Sequence, residues 1–322
     1  MAVSVVNKHY SSPLTAVLLI AAIAPLSATA AGGKWQPARL DRGRPDFQGR
    51  WVSTNATPLV RAPHIQTLKI TAEQAVALDS VRIQKAEDRS KPTEPTEFYD
   101  ERRIEPISGE YRSSIIIDPA NGTLPGTPLF NERLARAGAD VMTGMDGPEQ
   151  RPSSERCLGS LGSQAPMLST PGGNIRQIVQ TEGSTLFLSE ENHEARIIRM
   201  NAVHRPASIT SWDGDSIGWW EGDTLVVDTR FFSPTDGARS NGSSTLLVTP
   251  QTIVVERFTR VSRDEINYLF TVEDPVLYTQ RWTGESHFLR TDAPLLEYAC
   301  HEGNYSLAYI LQGARVKDGT LR

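Results

Sequence analysis

The residues best suited to chemistry lie near the C-terminus, in the stretch Leu295–Gly313. Cys300 is followed directly by His301 and Glu302, and Tyr305 comes shortly after them. An imidazole exchanges protons near neutral pH, and a neighbouring carboxylate can orient it or share the proton transfer. We therefore predict an acid–base site with His301 as general base, Glu302 as its orienting or acid partner and Tyr305 as a further proton donor.

A second group of candidates stands before a predicted strand in the middle of the chain. His193 and Glu194 precede this strand, which contains Arg196. Arginine presents a planar fork of donors that can bind a carboxylate, a phenolate or a developing oxyanion. His193 joins the predicted catalytic residues, although it and His301 could equally be structural residues at strand ends. The predicted substrate-binding residues are Arg151, Glu155, Arg156, Arg196, Trp212, Trp220 and Asn304.

The chain has two cysteines, Cys157 and Cys300. An even number in an exported chain favours a disulfide between them. Such a bond would hold the charged segment 151–158 beside His301. This segment belongs to a long glycine-rich loop, 138–162, and a loop of that length either covers a site or is a solvated surface segment.

Local patterns predict how the C-terminal candidates are positioned. Residues 295–300 alternate as in a strand with one face inward, and the apolar residues at 307, 310, 311 and 314 form one stripe of a short helix. We predict that Asn304 caps this helix and that Gly313 ends it. His301 and Glu302 would then lie in a strand-to-helix corner, beside backbone N–H groups that can bind an anion.

From residue 174 onward, short alternating runs are separated by turn residues. They predict a mainly β fold: an antiparallel up-and-down barrel of the lipocalin-like kind, with a two-sheet sandwich as the alternative. Barrels of about eight strands can hold one small ligand in the mouth. Trp219 and Trp220 are adjacent, so a strand would point them to opposite faces. The predicted strands span residues 175–181, 185–189, 195–200, 224–229, 252–261, 265–272, 277–283 and 286–290.

The N-terminus predicts export. Lys8 precedes an apolar run, and Ala28, Thr29 and Ala30 match the small-residue rule for cleavage of a signal peptide. We predict that residues 1–30 are removed by a cut before Ala31 and that the mature protein is periplasmic or secreted, without a membrane span. An uncleaved anchor is the alternative.

The mature chain is predicted to have two parts. Residues 31–170 form an N-terminal extension packed on the barrel, with long loops, a helix over 72–85 that begins with a capping box at Thr71, and a short helix over 132–137. Residues 171–322 form the barrel and a short C-terminal helix. The sequence gives no signal for the oligomeric state.

Several function classes lack support. The formal net charge is −5, or −6 without Lys8, so nucleic acid and anionic membranes are not expected partners. The glycine-rich motifs of nucleotide-binding proteins and the nucleophile motif of many hydrolases are absent, and we predict no cofactor. His193, His204, His287, His301 and Glu302 could form a metal site only from distant positions, and we predict none.

Several phrases are characteristic in combination: PDFQGRW at 45–51, RPSSERCL at 151–158, HEARII at 193–198, WEGDTLVV at 220–227, ERFTR at 256–260 and EYACHEGNY at 297–305. They resemble a large family of exported proteins from acidobacteria and sphingomonads, most of them without an assigned function. The resemblance covers nearly the whole mature chain and implies export and one β-rich unit. Through the sphingomonad relatives it implies breakdown of plant-derived aromatic compounds, including by lyases that release formaldehyde from lignin dimers without a cofactor.

Together these features predict an exported, cofactor-independent lyase that uses acid–base catalysis. Its predicted substrate is a small hydrophobic or aromatic molecule, for example one derived from lignin. One alternative is a lipocalin-like binding protein that holds an aromatic or lipid ligand without chemistry. Another is a carbohydrate-active lyase or hydrolase, with Trp212, Trp219 or Trp220 as the sugar platform and Asp213, Asp215 or Glu302 as acid and base.

Overall fold

The structure, a computed structural model, describes residues 35–89, 102–234, 238–240 and 244–320. All of them belong to one compact unit that spans residues 35–322. The predicted signal peptide lies outside the described residues. No helix within the described ranges is both long enough and apolar enough to cross a membrane.

The chain is mainly β. The three α-helices of the described ranges are α1 (Ala72–Arg89), α2 (Pro128–Thr143) and α3 (Ser306–Lys317). The strands of the same ranges are β1 (Gly49–Val52), β2 (Ile116–Asp118), β3 (Ile175–Gln180), β4 (Ser184–Ser189), β5 (Ala195–Met200), β6 (Asp215–Glu221), β7 (Thr224–Arg230), β8 (Arg239–Ser240), β9 (Thr245–Leu246), β10 (Ile253–Arg260), β11 (Glu265–Glu273) and β12 (Trp282–Arg290).

Nine strands close into a barrel, which confirms the predicted barrel over the sandwich. Around the ring the order is β1-β3-β4-β5-β6-β7-β10-β11-β12, and pairing of β1 with β12 completes it. The closing strand comes from the N-terminal extension, where Trp51 pairs with Arg176 on one side and with Arg290 on the other. β2 pairs with another part of the same β12 edge.

One pair of neighbours departs from the predicted antiparallel order. β5 and β6 are parallel, with Arg199 opposite Ile217. Parallel neighbours require a crossover of a dozen or more residues. Residues 201–214 provide it, and they run back along the barrel from the last residue of β5 to the first residue of β6.

The two ends of the barrel have different connections. At one, which we call the turn end, tight turns at 181–183, 222–223 and 261–264 join β3 to β4, β6 to β7 and β10 to β11. At the other, the loop end, lie the turn 190–194, the end of the crossover and the long segment that leads into β3. The predicted site residues before β5 therefore belong to the loop end.

The barrel interior is filled by side chains. Inward positions alternate along each strand, and Phe187, Phe258, Tyr268, Phe270 and Phe288 form a stacked and tilted aromatic cluster. The segment 159–170 enters from the loop end and is buried throughout. These side chains occupy the space that a ligand would take inside a lipocalin-like barrel.

A buried ion pair lies within this core. Arg196 and Glu256 are almost fully buried, and the guanidinium of Arg196 contacts both carboxylate oxygens of Glu256. The Tyr268 hydroxyl donates to Glu256 over 2.8 Å and accepts from the Met167 N–H over 2.8 Å. The pair is thus surrounded by hydrogen-bond partners, as burial of charge requires. Further partners of Arg196 are the hydroxyls of Ser216 and Thr229.

Some predicted elements are wrong. Gly284 was expected in a turn, but it lies inside the single strand β12, where a Cβ would meet the Phe270 ring at 2.4 Å. The glycine therefore permits close packing. Residues 295–300 form no strand, and α3 starts after Tyr305 and continues through Gly313. The predicted helix over 132–137 is the longer α2, which Thr127 caps by accepting from the Phe130 N–H.

Candidate functional site

The predicted disulfide is formed between Cys157 and Cys300. Their Cα atoms are 5.8 Å apart, and the bond links residues 143 positions apart in the chain. It fastens the loop 151–158, which we call the clamp loop, to the C-terminal tail. Asn304 strengthens the junction, because its side-chain amide reaches the Glu155 carbonyl and the Cys157 sulfur. Asn304 therefore holds the clamp loop instead of capping α3.

The four predicted catalytic residues lie at the loop end but on its surface. His193 Nδ1 is 3.2 Å from the Tyr298 carbonyl oxygen, so the β4–β5 turn and the tail are in contact. His193, His301 and Glu302 are exposed, and 65% of Tyr305 is exposed. A groove of about 590 Å³ runs between clamp loop and tail, and its lining includes Ser154, Glu155, Tyr298, Glu302 and Asn304.

Several predicted substrate-binding residues hold the protein together instead. Arg196 is the core residue bound to Glu256, so it does not face the groove. Arg151 is buried and pairs with Glu155. Trp220 packs against the core with its ring centroid 5.5 Å from that of Phe47, while Trp219 on the opposite face donates to Glu221. Strand alternation turns Arg196 and Trp220 inward, so neither side chain lines the groove.

Two carboxyl groups that are distant in sequence, those of Glu194 and Asp213, lie together at the loop end. Glu194 comes directly before β5, and Asp213 comes two residues before β6. Because these strands are parallel neighbours, their first residues lie at the same end of the barrel. The two side chains are hydrogen-bonded, and both are partly exposed. We call them the carboxyl pair.

Burial and the neighbouring charge keep a proton on this pair. Burial, the hydrogen bond to Asp213 and repulsion from its charge raise the pKa of Glu194 to about 9. Glu194 is therefore a carboxylic acid at neutral pH, the form that can donate a proton. In the same turn, burial also raises the pKa of Glu190 and of Glu191. The loop end thus carries desolvated carboxyl groups, which is typical of functional sites.

Gln164 fixes the position of Asp213. Its side chain is fully buried, and its Nε2 donates to Asp213 Oδ1 over 3.1 Å and to the Trp212 carbonyl over 2.9 Å. Gly159 makes room for it, because a Cβ there would come within 2.4 Å of the Gln164 amide and the backbone has φ +119°. The buried segment 159–170 therefore supports the carboxyl pair from inside the barrel.

The clamp loop covers Trp212, next to the carboxyl pair. The Arg156 guanidinium lies 5.7 Å from the centroid of the Trp212 ring. One face of the predicted aromatic platform is thus occupied by an arginine. Ser154 and Glu155 of the clamp loop line the groove, while Arg156 of the same loop lies against Trp212, the residue before Asp213.

His204 anchors the crossover outside the barrel. Its Nδ1 is 2.9 Å from Asp215 Oδ2, and its Nε2 is 3.6 Å from Asp228 Oδ1. Burial opposes ionisation of Asp215, but hydrogen bonds from the Arg205 N–H, His204 and Arg199 outweigh it and lower the pKa of Asp215. This cluster fastens the segment whose far end carries Trp212 and Asp213.

Within the described residues, no group of three or more His, Cys, Asp or Glu side chains is arranged to hold a metal ion. Comparison of the chain with protein-family models, with curated proteins and with solved structures finds no match.

The sequence analysis named Glu194 and Asp213 separately, but nothing in it placed the two side chains together. The signal that could have done so is the length of the segment between β5 and β6, which is long enough for a parallel crossover.

Proposed function

We propose that the protein is an exported lyase that breaks a carbon–oxygen bond in a small ring-containing molecule, with Glu194 and Asp213 as its acid and base. The observation that carries this proposal is the hydrogen-bonded carboxyl pair, partly exposed at the loop end beside Trp212. Such a pair can deliver a proton and accept another at one place. The predicted assignment of His301 as base is replaced by Asp213.

The reaction that suits this geometry is elimination on one face of the substrate. Asp213 accepts the proton of a C–H group, the electron pair forms a carbon–carbon double bond, and the C–O bond to the leaving group breaks. Glu194 gives its proton to the leaving oxygen. Because the two groups are neighbours, donor and acceptor approach the substrate from the same side.

Sugar hydrolysis by the same pair is less suitable. The two carboxyl groups of glycoside hydrolases stand about 5 to 9 Å apart so that a sugar ring, and in inverting enzymes also a water molecule, fits between them. The side chains of Glu194 and Asp213 instead interact directly, since a hydrogen bond to Asp213 is one of the causes that raise the pKa of Glu194. An acid and a base that share one proton are better suited to an elimination, in which protons leave and reach neighbouring atoms of the substrate, than to sugar hydrolysis.

The test is turnover by the purified mature chain on lignin-type aryl ether dimers, uronate oligosaccharides and neutral aryl glycosides, followed by ultraviolet absorption of the new double bond. Glu194→Gln and Asp213→Asn should each lower kcat by about 100-fold or more. The exposed residues of the tail provide matched controls, and His301→Ala and Glu302→Gln should keep most of the activity. Loss of turnover only in the tail variants, or no turnover by the wild type, contradicts the proposal.

A further inference from the structure

Arg156 is an arginine of the clamp loop whose side chain finds no acceptor among the described residues. Its guanidinium lies over Trp212, and although the side chain is only partly buried, its Nη1 atom is buried without a hydrogen-bond partner there. A donor withdrawn from water requires an acceptor in return, and the face of an aromatic ring attracts a guanidinium only weakly when solvent is near. The position is therefore suited to an anion that the described residues do not supply.

The acidic groups around it are already engaged. Glu155, its neighbour in sequence, forms two hydrogen bonds with Arg151, of 2.8 and 3.0 Å. Asp213 is bound by Gln164 and by Glu194, which carries the proton of the pair. The buried arginines Arg176 and Arg239 of this end, in contrast, have oxygen acceptors. Arg176 donates to the carbonyls of Gly162 and Asn174, and Arg239 donates to those of Ala165 and Trp212.

The backbone beside Arg156 is held in place. Cys157 has a positive φ of 55° and is bonded to Cys300, and the tail contacts the Glu155 carbonyl through Asn304. A ligand that binds Arg156 therefore has little backbone to order, which lowers the entropic cost of binding. Preorganisation of this kind is what a binding site requires.

We propose that Arg156 binds a carboxylate of the substrate, so that the substrates are organic acids with a ring that lies beside Trp212. This inference rests on the proposed elimination and narrows its substrate class. A carboxylate matches the planar fork of a guanidinium with two parallel hydrogen bonds. Once its charge is balanced, the adjacent C–H group is more acidic. Its proton then passes to Asp213 while Glu194 protonates the leaving oxygen.

The experiment titrates benzoate, as a probe of aromatic acids, into protein with ¹⁵N-labelled arginine. The Arg156 Nε–H signal should shift with a saturable dependence on benzoate, and benzyl alcohol should leave it unchanged. Arg156→Gln should weaken benzoate binding at least tenfold, and Arg156→Lys should have an intermediate effect because it keeps the charge and loses the fork. Arg263→Gln is the matched control, since Arg263 is 85% exposed at the turn end.

Two results overturn the inference: benzoate binding that is equal in wild type and Arg156→Gln, or inorganic phosphate that binds Arg156 as tightly as benzoate does. The inference and the proposed function fail separately. Benzoate bound at Arg156 together with full turnover by Glu194→Gln refutes the catalytic pair only. Loss of turnover in Glu194→Gln without contact between benzoate and Arg156 refutes the carboxylate assignment only. Unfolding temperatures of the variants exclude loss of structure as the cause.

Discussion

The two ends of the barrel differ in how far their charged groups are exposed to solvent. The turn end joins strands by short turns, and its ion pairs, such as Arg42 with Glu182, are largely exposed. The loop end buries polar groups, and burial raises the pKa of Glu191 and of Glu194 there. Desolvated acids reduce stability at neutral pH, and they persist where the surrounding structure enforces their burial. The desolvated acids therefore lie at the loop end, where we propose the active site, and the exposed ion pairs lie at the turn end.

The largest expected difference concerns two glutamates that pair with arginine. Glu256→Gln should lower the free energy of unfolding by about 3–5 kcal/mol, because it leaves the Arg196 charge unbalanced inside the barrel. Glu221→Gln, which loses the solvent-exposed pair with Arg257 near the turn end, should cost far less, because water and salt screen that pair. Denaturant unfolding at pH 7 measures both. Equal losses would remove the energetic distinction between buried and exposed pairs.

Removal of the disulfide would show how much of the protein's stability depends on this covalent restraint at the loop end. Cys157→Ser and Cys300→Ser should each lower the free energy of unfolding by about 2–5 kcal/mol, because the bond closes a long loop of the unfolded chain. The double variant should lose no more than either single variant, since all three remove one bond. A reducing agent should reproduce the loss in the wild type. Additive losses in the double variant would mean that the serines act through packing.

The smallest expected effect is the pH dependence of the carboxyl pair. Folding raises the pKa of Glu194 from 4.5 to about 9, so between these values the folded chain holds a proton that the unfolded chain releases. The contribution of Glu194 to the free energy of unfolding is therefore fully present below about pH 4.5 and is lost as the pH rises towards 9. Glu194→Gln has no such proton and should gain about 1–2 kcal/mol over the wild type at pH 9, after allowance for solvent screening.

Thermal unfolding across this pH range measures the gain. Asp213→Asn is the informative comparison. It removes the charge repulsion from Asp213 and changes the hydrogen bond to it, but it leaves the burial that also raises the pKa of Glu194. It should therefore reduce the pH dependence without abolishing it. Parallel stability curves for the wild type and Glu194→Gln would show that the pair does not hold the proton.

The barrel and the disulfide could be predicted from local pattern and cysteine number, but the carboxyl pair could not. In the antiparallel meander that alternation suggests, consecutive strands start at opposite ends, and Glu194 and Asp213 would be far apart. Alternation describes which face a residue occupies and not the direction of the next strand. The same limit explains Gly284, which reads as a turn residue although Phe270 of the neighbouring strand is what requires a glycine there.

The identity of the closing strand has a consequence for biogenesis. Trp51 pairs with Arg290, so the ring joins residues that lie more than 200 positions apart in the chain. Such distant pairing makes folding slow, because the intervening chain must be ordered before the contact forms. A nascent chain that lacks β12 cannot complete the barrel. We therefore expect the barrel to remain open until β12 has been synthesised, which would keep the chain unfolded for the export that the sequence predicts.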